Sequence, residues 1–340
     1  MKLAVPMKVE TGPSVVRRTS VREIAIKIVS EYSFVLSFIL LVIIAATVNH
    51  NFFSWANISN IFVQSCVIGL IALGMSMVIS AGQIDISVGS QVAFIGGFGV
   101  LVLNATGSVM AMLLFTAGTG ILLGLINGLL VTKGGMPSII ATLAMMGAAR
   151  SIINHFGSGG PFTVDRAYYD TFRQIASGGV NVFGLSIPYF MIIFIVATVV
   201  FDVVMKHTRL GKHIYAVGSN EVSARLSGVN VDVVKATTFV ITGLMCGIAA
   251  LLYASRTTAV AASSAATMFE LDAIAAVAIG GTAMTGGRGK IFGTFLGVLM
   301  FKIISNILTA ADVSTFLTGA FSSAIIVIAV LLQNFQNRKR

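Results

Sequence analysis

The sequence predicts an all-α, polytopic transmembrane helical bundle of about ten spans, or eight if two are re-entrant, with both termini cytoplasmic. Three observations predict it. Of 340 residues, 56% are apolar and only 10% are charged, and the mean hydropathy is +0.95. A soluble domain carries roughly 25% charged residues, and a chain this poor in charge cannot cover itself with water-compatible groups. The apolar residues gather in runs close to the ~20 residues that a helix needs to cross hydrocarbon. Basic residues collect on alternate connections, as they do in cytoplasmic loops.

The runs lie near 33–49, 62–80, 87–104, 108–131, 137–154, 187–205, 234–254, 270–284, 291–309 and 314–333. The third, fifth and eighth are short, which sets the fallback count of eight. Residues 1–32 form a cytoplasmic N-terminal tail, 33–335 the transmembrane domain and 336–340 a basic cytoplasmic tail. With the N-terminus inside, the inner segments hold Lys2, Lys8, Arg17, Arg18, Arg22 and Lys27, then Lys133, then Lys206, Arg209, Lys212, Arg225 and Lys235. They also hold Arg288, Lys290, Arg338, Lys339 and Arg340, against Arg166, Arg173 and Arg256 outside. Arg150 and Lys302 fall within runs and are left out of this count. Two connections are long: 155–186 outside and 206–233 inside. The segment 50–61, with Phe52, Phe53 and Trp55, reads as an interfacial aromatic anchor.

Several function classes are disfavoured. The net charge of +10 sits in short patches between apolar runs, without the basic stripes and interleaved aromatics of a nucleic-acid footprint, and no nucleic-acid partner is expected. Cys66 and Cys246 lie inside apolar runs and read as packing residues. No cleavable signal peptide is visible. His50, His155, His207 and His213 lack metal-ligand spacing. The GGRGK stretch at 286–290 fails as a phosphate loop, because Met284 stands where the first glycine belongs and Ile291 where Ser or Thr belongs. No cofactor is expected on this chain, and no catalytic set converges.

Three segments can carry function. In 210–235, Ser219 or Asn220 can cap a short helix, Glu221 suits its positive end, and Gly228 can close it in the left-handed conformation. Val222, Ala224 and Leu226 supply modest apolar contact. These residues fit both docking to a partner and a plain interfacial helix. In 270–294, Gly280–Gly281 and Gly286–Gly287 break a short apolar run. Such breaks point to a translocation path, although Gly286–Gly287 also fit a tight cytoplasmic turn. In 79–99, Asp85 or Ser87 can cap the following helix, which Gly96–Gly97 interrupt. Asp85 facing a pore is the alternative, and the cap is favoured. Rows of glycine four apart (Gly120, Gly124, Gly128; Gly243, Gly247; Gly293, Gly297) read as close helix packing.

The runs AVGSNEVSARLSGVNV, ELDAIAAVAIGGTAMTGGRGKIFGT, QIDISVGS and PSIIATLAMMGAARSI closely resemble the ribose-type monosaccharide permeases of bacterial ABC transporters. The resemblance covers roughly 34–333, with the motifs in the family's order. The family's usual wording is nearer GGIDLSVG and TLGMMxxxRGI; here Ala81–Gly82–Gln83 replaces the double glycine and Ser151 stands where Gly is common.

The resemblance implies a permease subunit, itself no enzyme, of an inner-membrane importer for a monosaccharide or related small polyol. It implies a second permease copy (homo- or heterodimer), a cytoplasmic ATPase subunit or tandem ATPase, and a periplasmic sugar-binding protein. It makes 206–233 the coupling loop, with Gly218, Asn220, Glu221, Ala224, Arg225 and Gly228 as the expected ATPase contact, and 155–186 a periplasmic loop. Asp85, Ser87, Gly96, Gly97, Asp272, Gly280 and Gly281 are the expected translocation-path residues. An uncharged sugar needs no ion pairs, so small residues, hydroxyls and a few aromatics should line the path. Lys302 reads as the one charge well inside a span, snorkelling or pairing with Asp312. The rival class is an ion-coupled secondary transporter of a small neutral solute, which usually keeps ionisable groups near the midplane.

Overall fold

The computed structural model describes residues 21–158, 160–314, 317, 320 and 324, with backbone alone for 21–34. The described residues are mostly helical: α1 (Val21–Val48), α2 (Trp55–Ser80), α3 (Val88–Thr106), α4 (Val109–Thr132), α5 (Ser138–Gly157), α6 (Arg166–Ser177), α7 (Tyr189–His207), α8 (Arg209–Ser219), α9 (Glu221–Leu226), α10 (Val231–Thr257), α11 (Phe269–Ile279) and α12 (Ile291–Ala310). Four short strands complete them: β1 (Pro161–Thr163), β2 (Gly179–Val182), β3 (Leu185–Pro188) and β4 (Ala259–Ala261).

Seven of these helices, α2, α3, α4, α5, α7, α10 and α12, are long and apolar enough to cross a membrane, and Val35–Val48 of α1 forms a shorter apolar stretch. The third and fifth runs are therefore full-length helices. The eighth is not. Its helix, α11, has only 11 residues, about 16 Å at 1.5 Å per residue, half of a ~30 Å hydrocarbon layer. The tail expected over 1–32 is already helical from Val21; residues 1–20, the C-terminal tail and all of the tenth run except 314, 317, 320 and 324 lie outside the described residues.

Local chemistry sets the helix ends. Ser54 caps α2 by accepting from the Asn57 amide at 3.3 Å, and Ser108 caps α4 through the Ala111 amide at 3.2 Å. Gly107, at φ +65°, ends α3. The helices alternate in direction. One end of the bundle carries α8 and α9. The other carries the antiparallel β1–β4 pair, the β2–β3 hairpin and α6. There the Trp55 indole donates to the Ser186 carbonyl at 2.9 Å.

The core sits around α2 and α10. From Ser65 to Ser80, α2 is buried at every position, which accounts for its lack of an apolar stripe: a helix surrounded by helices needs none. The glycine rows do what their spacing predicts. A Cβ on Gly120 would collide with the Gly243 carbonyl, one on Gly124 with the Phe239 carbonyl, and one on Gly128 would come within 2.9 Å of the Ala236 Cα. Thus α4 and α10 touch backbone to backbone. In lipid, where no hydrophobic force drives helices together, such contact supplies the dispersion that does. Gly280, Gly293 and Gly297 make a second seam between α11 and α12. Large apolar side chains on α1, α4 and α7, such as Leu40, Leu114, Val196 and Val199, point outward. The structure is that of a multi-pass helical membrane protein.

Candidate functional site

Two non-helical links enter the bundle, one from each end, and meet at its centre. The first is 81–87, between α2 and α3. Its backbone is held by hydroxyls of α5: Ser138 accepts from the Ile84 amide and Thr142 from the Ile86 amide, each at 3.2 Å. Asp85 is fully buried. Its carboxylate accepts from the Ser87 amide at 2.9 Å, from the Ser87 hydroxyl, and from the Asn127 side-chain amide at 3.3 Å. The Ser87 hydroxyl in turn accepts from Gln91 at 2.7 Å and Asn127 at 3.0 Å. This corrects the expected cap. Ser87 occupies the N-cap position, but its side chain makes no capping bond. The reason is that its oxygen already accepts from Gln91 and Asn127, and its backbone is helical at φ −87°, ψ −9° rather than extended. Asp85 is buried within this network.

The second link, 258–268, joins α10 to α11. Thr258, Ala266 and Met268 adopt positive φ of 54°, 53° and 69°, a cost that non-glycine residues bear only where surrounding contacts over-determine the backbone. Arg150 supplies such contacts, donating through Nη1 to the Ala262 carbonyl at 3.0 Å and the Ala265 carbonyl at 2.9 Å. On α5, Arg150 stands 12 residues beyond Ser138, about 18 Å along the axis, in the half of the helix that leads to β1. The first turn of α3 presses on the same corner, since a Cβ on Gly89 would reach the Ala266 carbonyl at 2.5 Å.

Around the start of α11, charged and aromatic side chains from four helices gather. Glu270 and Tyr253 lie within electrostatic range of Arg150. Asp272 faces Lys302 of α12, and Lys302 also senses Arg256 of α10. The Tyr253 and Phe269 rings meet edge to face at 5.9 Å. None of these five charges forms an ion pair with another; the salt bridges among the described residues lie elsewhere. One expectation is corrected here: the carboxylate in electrostatic range of Lys302 is Asp272, because α11 packs along α12 through its glycine seam. Sequence reasoning missed Arg150, Tyr253, Arg256 and Glu270 as a group. The available signal was the two basic residues inside apolar runs, since an ionisable residue at membrane depth marks a functional site by default.

The α8–α9 end is ordered as its sequence predicts. Asn220 caps α9 by accepting from the Ser223 amide at 2.9 Å, and Gly228 turns the chain at φ +83°. Glu221 accepts from Lys235 at 2.7 Å, and Arg225 bridges Glu221 at 3.4 Å and Asp232 at 3.1 Å, which ties α9 to the first turn of α10. The hydrogen bond from Lys235 leads the effects that hold the Glu221 carboxyl below its ordinary range. Gly218 is wedged against the end of α2 and the 286–287 turn, where a Cβ would meet the Gly287 nitrogen at 2.6 Å. Ala224 departs from expectation: only 5% exposed, it packs inward, while Val222 and Leu226 stand 68% and 84% exposed. A six-residue helix cannot present three consecutive alternate positions on one face, because its period is 3.6.

The remaining predicted path residues divide. Gly96 and Gly97 do not interrupt α3, which runs unbroken through them. They are buried contact points, Gly97 lying 2.7 Å (as a Cβ) from Ile153 and Gly96 3.5 Å from the Ala250 carbonyl. Gly280 ends α11 against Gly293, and Gly281 follows at φ +85° in open space. Asp272 alone joins the charged group. Among the described residues no cluster of His, Cys, Asp and Glu could hold a metal ion.

Residues 57–330 match the family described as branched-chain amino acid transport system / permease component. The chain is 34% identical, over 92% of its length and 95% of the relative's, to the ribose import permease protein RbsC of Haemophilus influenzae. The chain belongs to the ribose-type family of sugar ABC permeases. Within that family, this permease is also 38% identical to RbsC of Bacillus subtilis, over 87% of its own length and 90% of the relative's. It is 32% identical to the L-arabinose ABC transporter permease protein AraH of Azospirillum brasilense, over 85% and 83% of the two chains. No solved structure matches it.

Proposed function

We propose that this chain is the membrane-spanning subunit of an ATP-driven importer in the bacterial inner membrane, carrying a monosaccharide or related small polyol. The carrying observation is identity above 30% to ribose and arabinose permeases along most of the chain. In this reading the chain works beside a second permease copy, 33–335 acts as the transmembrane domain, and the α8–α9 end is cytoplasmic. The chain binds no nucleotide, and hydrolysis belongs to a separate ATPase. That subunit seats on α9, where Val222 and Leu226 present apolar side chains on a helix fixed by Asn220, Glu221, Arg225 and Gly228. Ala224 serves the fold beneath them. A periplasmic sugar-binding protein delivers sugar to the β1–β4 end. The path runs past the charged group at the start of α11.

One observation favours the ion-coupled alternative: the ionisable side chains gathered within the helical bundle around Asp272 and Lys302, a feature such carriers use. Uptake of labelled ribose, xylose, arabinose and galactose into proteoliposomes separates the readings. Uptake that requires ATP and the partner ATPase, and ignores an imposed proton or sodium gradient, is expected. Gradient-driven uptake by this chain alone sinks the proposal.

A further inference from the structure

Asp272 and Lys302 are half-buried, make no hydrogen bond, and are not sealed from solvent. Arg150 has five N–H donors, and only Nη1 is engaged, by the Ala262 and Ala265 carbonyls. Beside these groups stands the Tyr253–Phe269 ring pair. Charges of both signs held close, yet not spent on each other, leave desolvated groups whose hydrogen-bonding capacity is open, which is costly until a ligand fills it. A metal ion does not suit a site with cations among its donors. A neutral polyol does. Its hydroxyls donate to Asp272 and Glu270 and accept from Arg150 and Lys302, while its C–H face lies on an aromatic ring, as amphipathic ligands lie on Tyr and Trp.

We propose that Tyr253, Phe269, Arg150, Glu270, Asp272 and Lys302 form a sugar-binding subsite on the permease itself, so that this chain, and not its delivery partner alone, selects the sugar. The proposal rests on the sugar-importer reading above and adds a place and a chemistry to it. A passive path lined by small residues would pass any sugar handed to it. A subsite of fixed donors and acceptors discriminates, because a hydroxyl at the wrong position leaves a buried partner unpaired.

The test holds the binding protein and ATPase constant and changes only this chain in the reconstituted complex. ATP-dependent uptake of labelled ribose, xylose, arabinose and galactose is compared in wild type, Asp272→Asn, Tyr253→Ala and Tyr253→Phe. Asp272→Asn conserves shape and replaces an acceptor by a mixed group, and is expected to change the uptake ratio between sugars at least about fivefold, the scale of one hydrogen bond. Tyr253→Ala should lower all uptake about tenfold or more, with Tyr253→Phe within about threefold of wild type, since the ring face is kept. A purely structural role for these residues would scale all sugars together. Wild-type ratios in Asp272→Asn overturn the subsite, and that variant carries the test if Tyr253→Ala does not assemble. Failure of the wild-type complex to import any of the sugars under ATP overturns the parent reading instead.

Discussion

The two links that enter the bundle are pinned by the same helix in opposite ways. Ser138 and Thr142 of α5 hold 81–87 through neutral hydroxyls, and the buried Asp85 closes a hydrogen-bond network there. Twelve residues beyond Ser138, Arg150 holds 258–268 through its charge, amid ionisable groups that remain reachable. The first link is closed: its carboxylate, hydroxyl and amide donors bond to one another inside the protein, with only the Gln91 and Asn127 carbonyl oxygens left over. The second is unfinished, with capacity left over and three non-glycine residues in the left-handed region. A buried, mutually hydrogen-bonded network rigidifies. A group of both charges that forms no ion pairs among its members is where the proposed sugar subsite lies.

The comparison breaks most severely at Asp85. Asp85→Ala leaves the Ser87 amide and hydroxyl without their acceptor and removes one of the two acceptors of the Asn127 amide, and should cost about 2–5 kcal/mol. Thermal melting of the detergent-solubilised chain reads this directly. A melting point within a degree of wild type would show that the first link is not the fixed one. Arg150→Leu should act differently, reducing sugar uptake by roughly tenfold to a hundredfold, on the scale of losing two charge-assisted bonds at the site, with a smaller shift in melting. Arg150→Lys should recover part of the uptake, since an ammonium can reach one carbonyl but not fork between two. Equal melting losses for Asp85→Ala and Arg150→Leu, with uptake falling only in proportion to folded protein, would erase the distinction.

Leu226→Asp probes a surface outside both links. The change lies on an exposed position, so stability should stay within about 0.5 kcal/mol, while co-purification with the partner ATPase falls. Unchanged co-purification would remove α9 from the contact. The smallest effect is on pH. The folded Glu221 carboxyl is held below its ordinary value, chiefly by Lys235. Its contribution is therefore present above the ordinary carboxylate range and is lost as pH falls through the depressed value. At its exposure this amounts to about 0.5 kcal/mol or less, read as faster hydrogen exchange of α9 amides at acid pH, with no such change between pH 6 and 8.

What the sequence made legible was local. The Asn220 cap, the Gly228 turn, the break at Gly280–Gly281 and the glycine spacing on α4 and α10 each follow from neighbours within a few positions, and each is present as read. What it hid was set by distance along the chain. Arg150 finds its acceptors 112 and 115 positions away, so in the sequence it looked like a stray charge in an apolar run. Asp85 was read as a cap because its bond to Asn127 spans 42 positions. The sequence marked the eighth run as short and broken at Gly280–Gly281, but its hydropathy, apolar through 284, did not separate the half-length α11 from the third and fifth runs, which are full helices.

The glycine seam between α4 and α10 has a mechanical consequence. Side chains between two helices act as bearings: they rotate, slip and absorb small displacements. Here backbone rests on backbone along several turns, and there is no bearing to yield. The two helices behave as one plank. Its α10 edge runs 27 residues, about 40 Å at the helical rise, with Asp232 and Lys235 at one end gripping α9 and Tyr253 and Arg256 at the other beside the charged group. If α9 is the driven end, as proposed, an ångström of movement there carries to Tyr253 along this plank as along a lever arm.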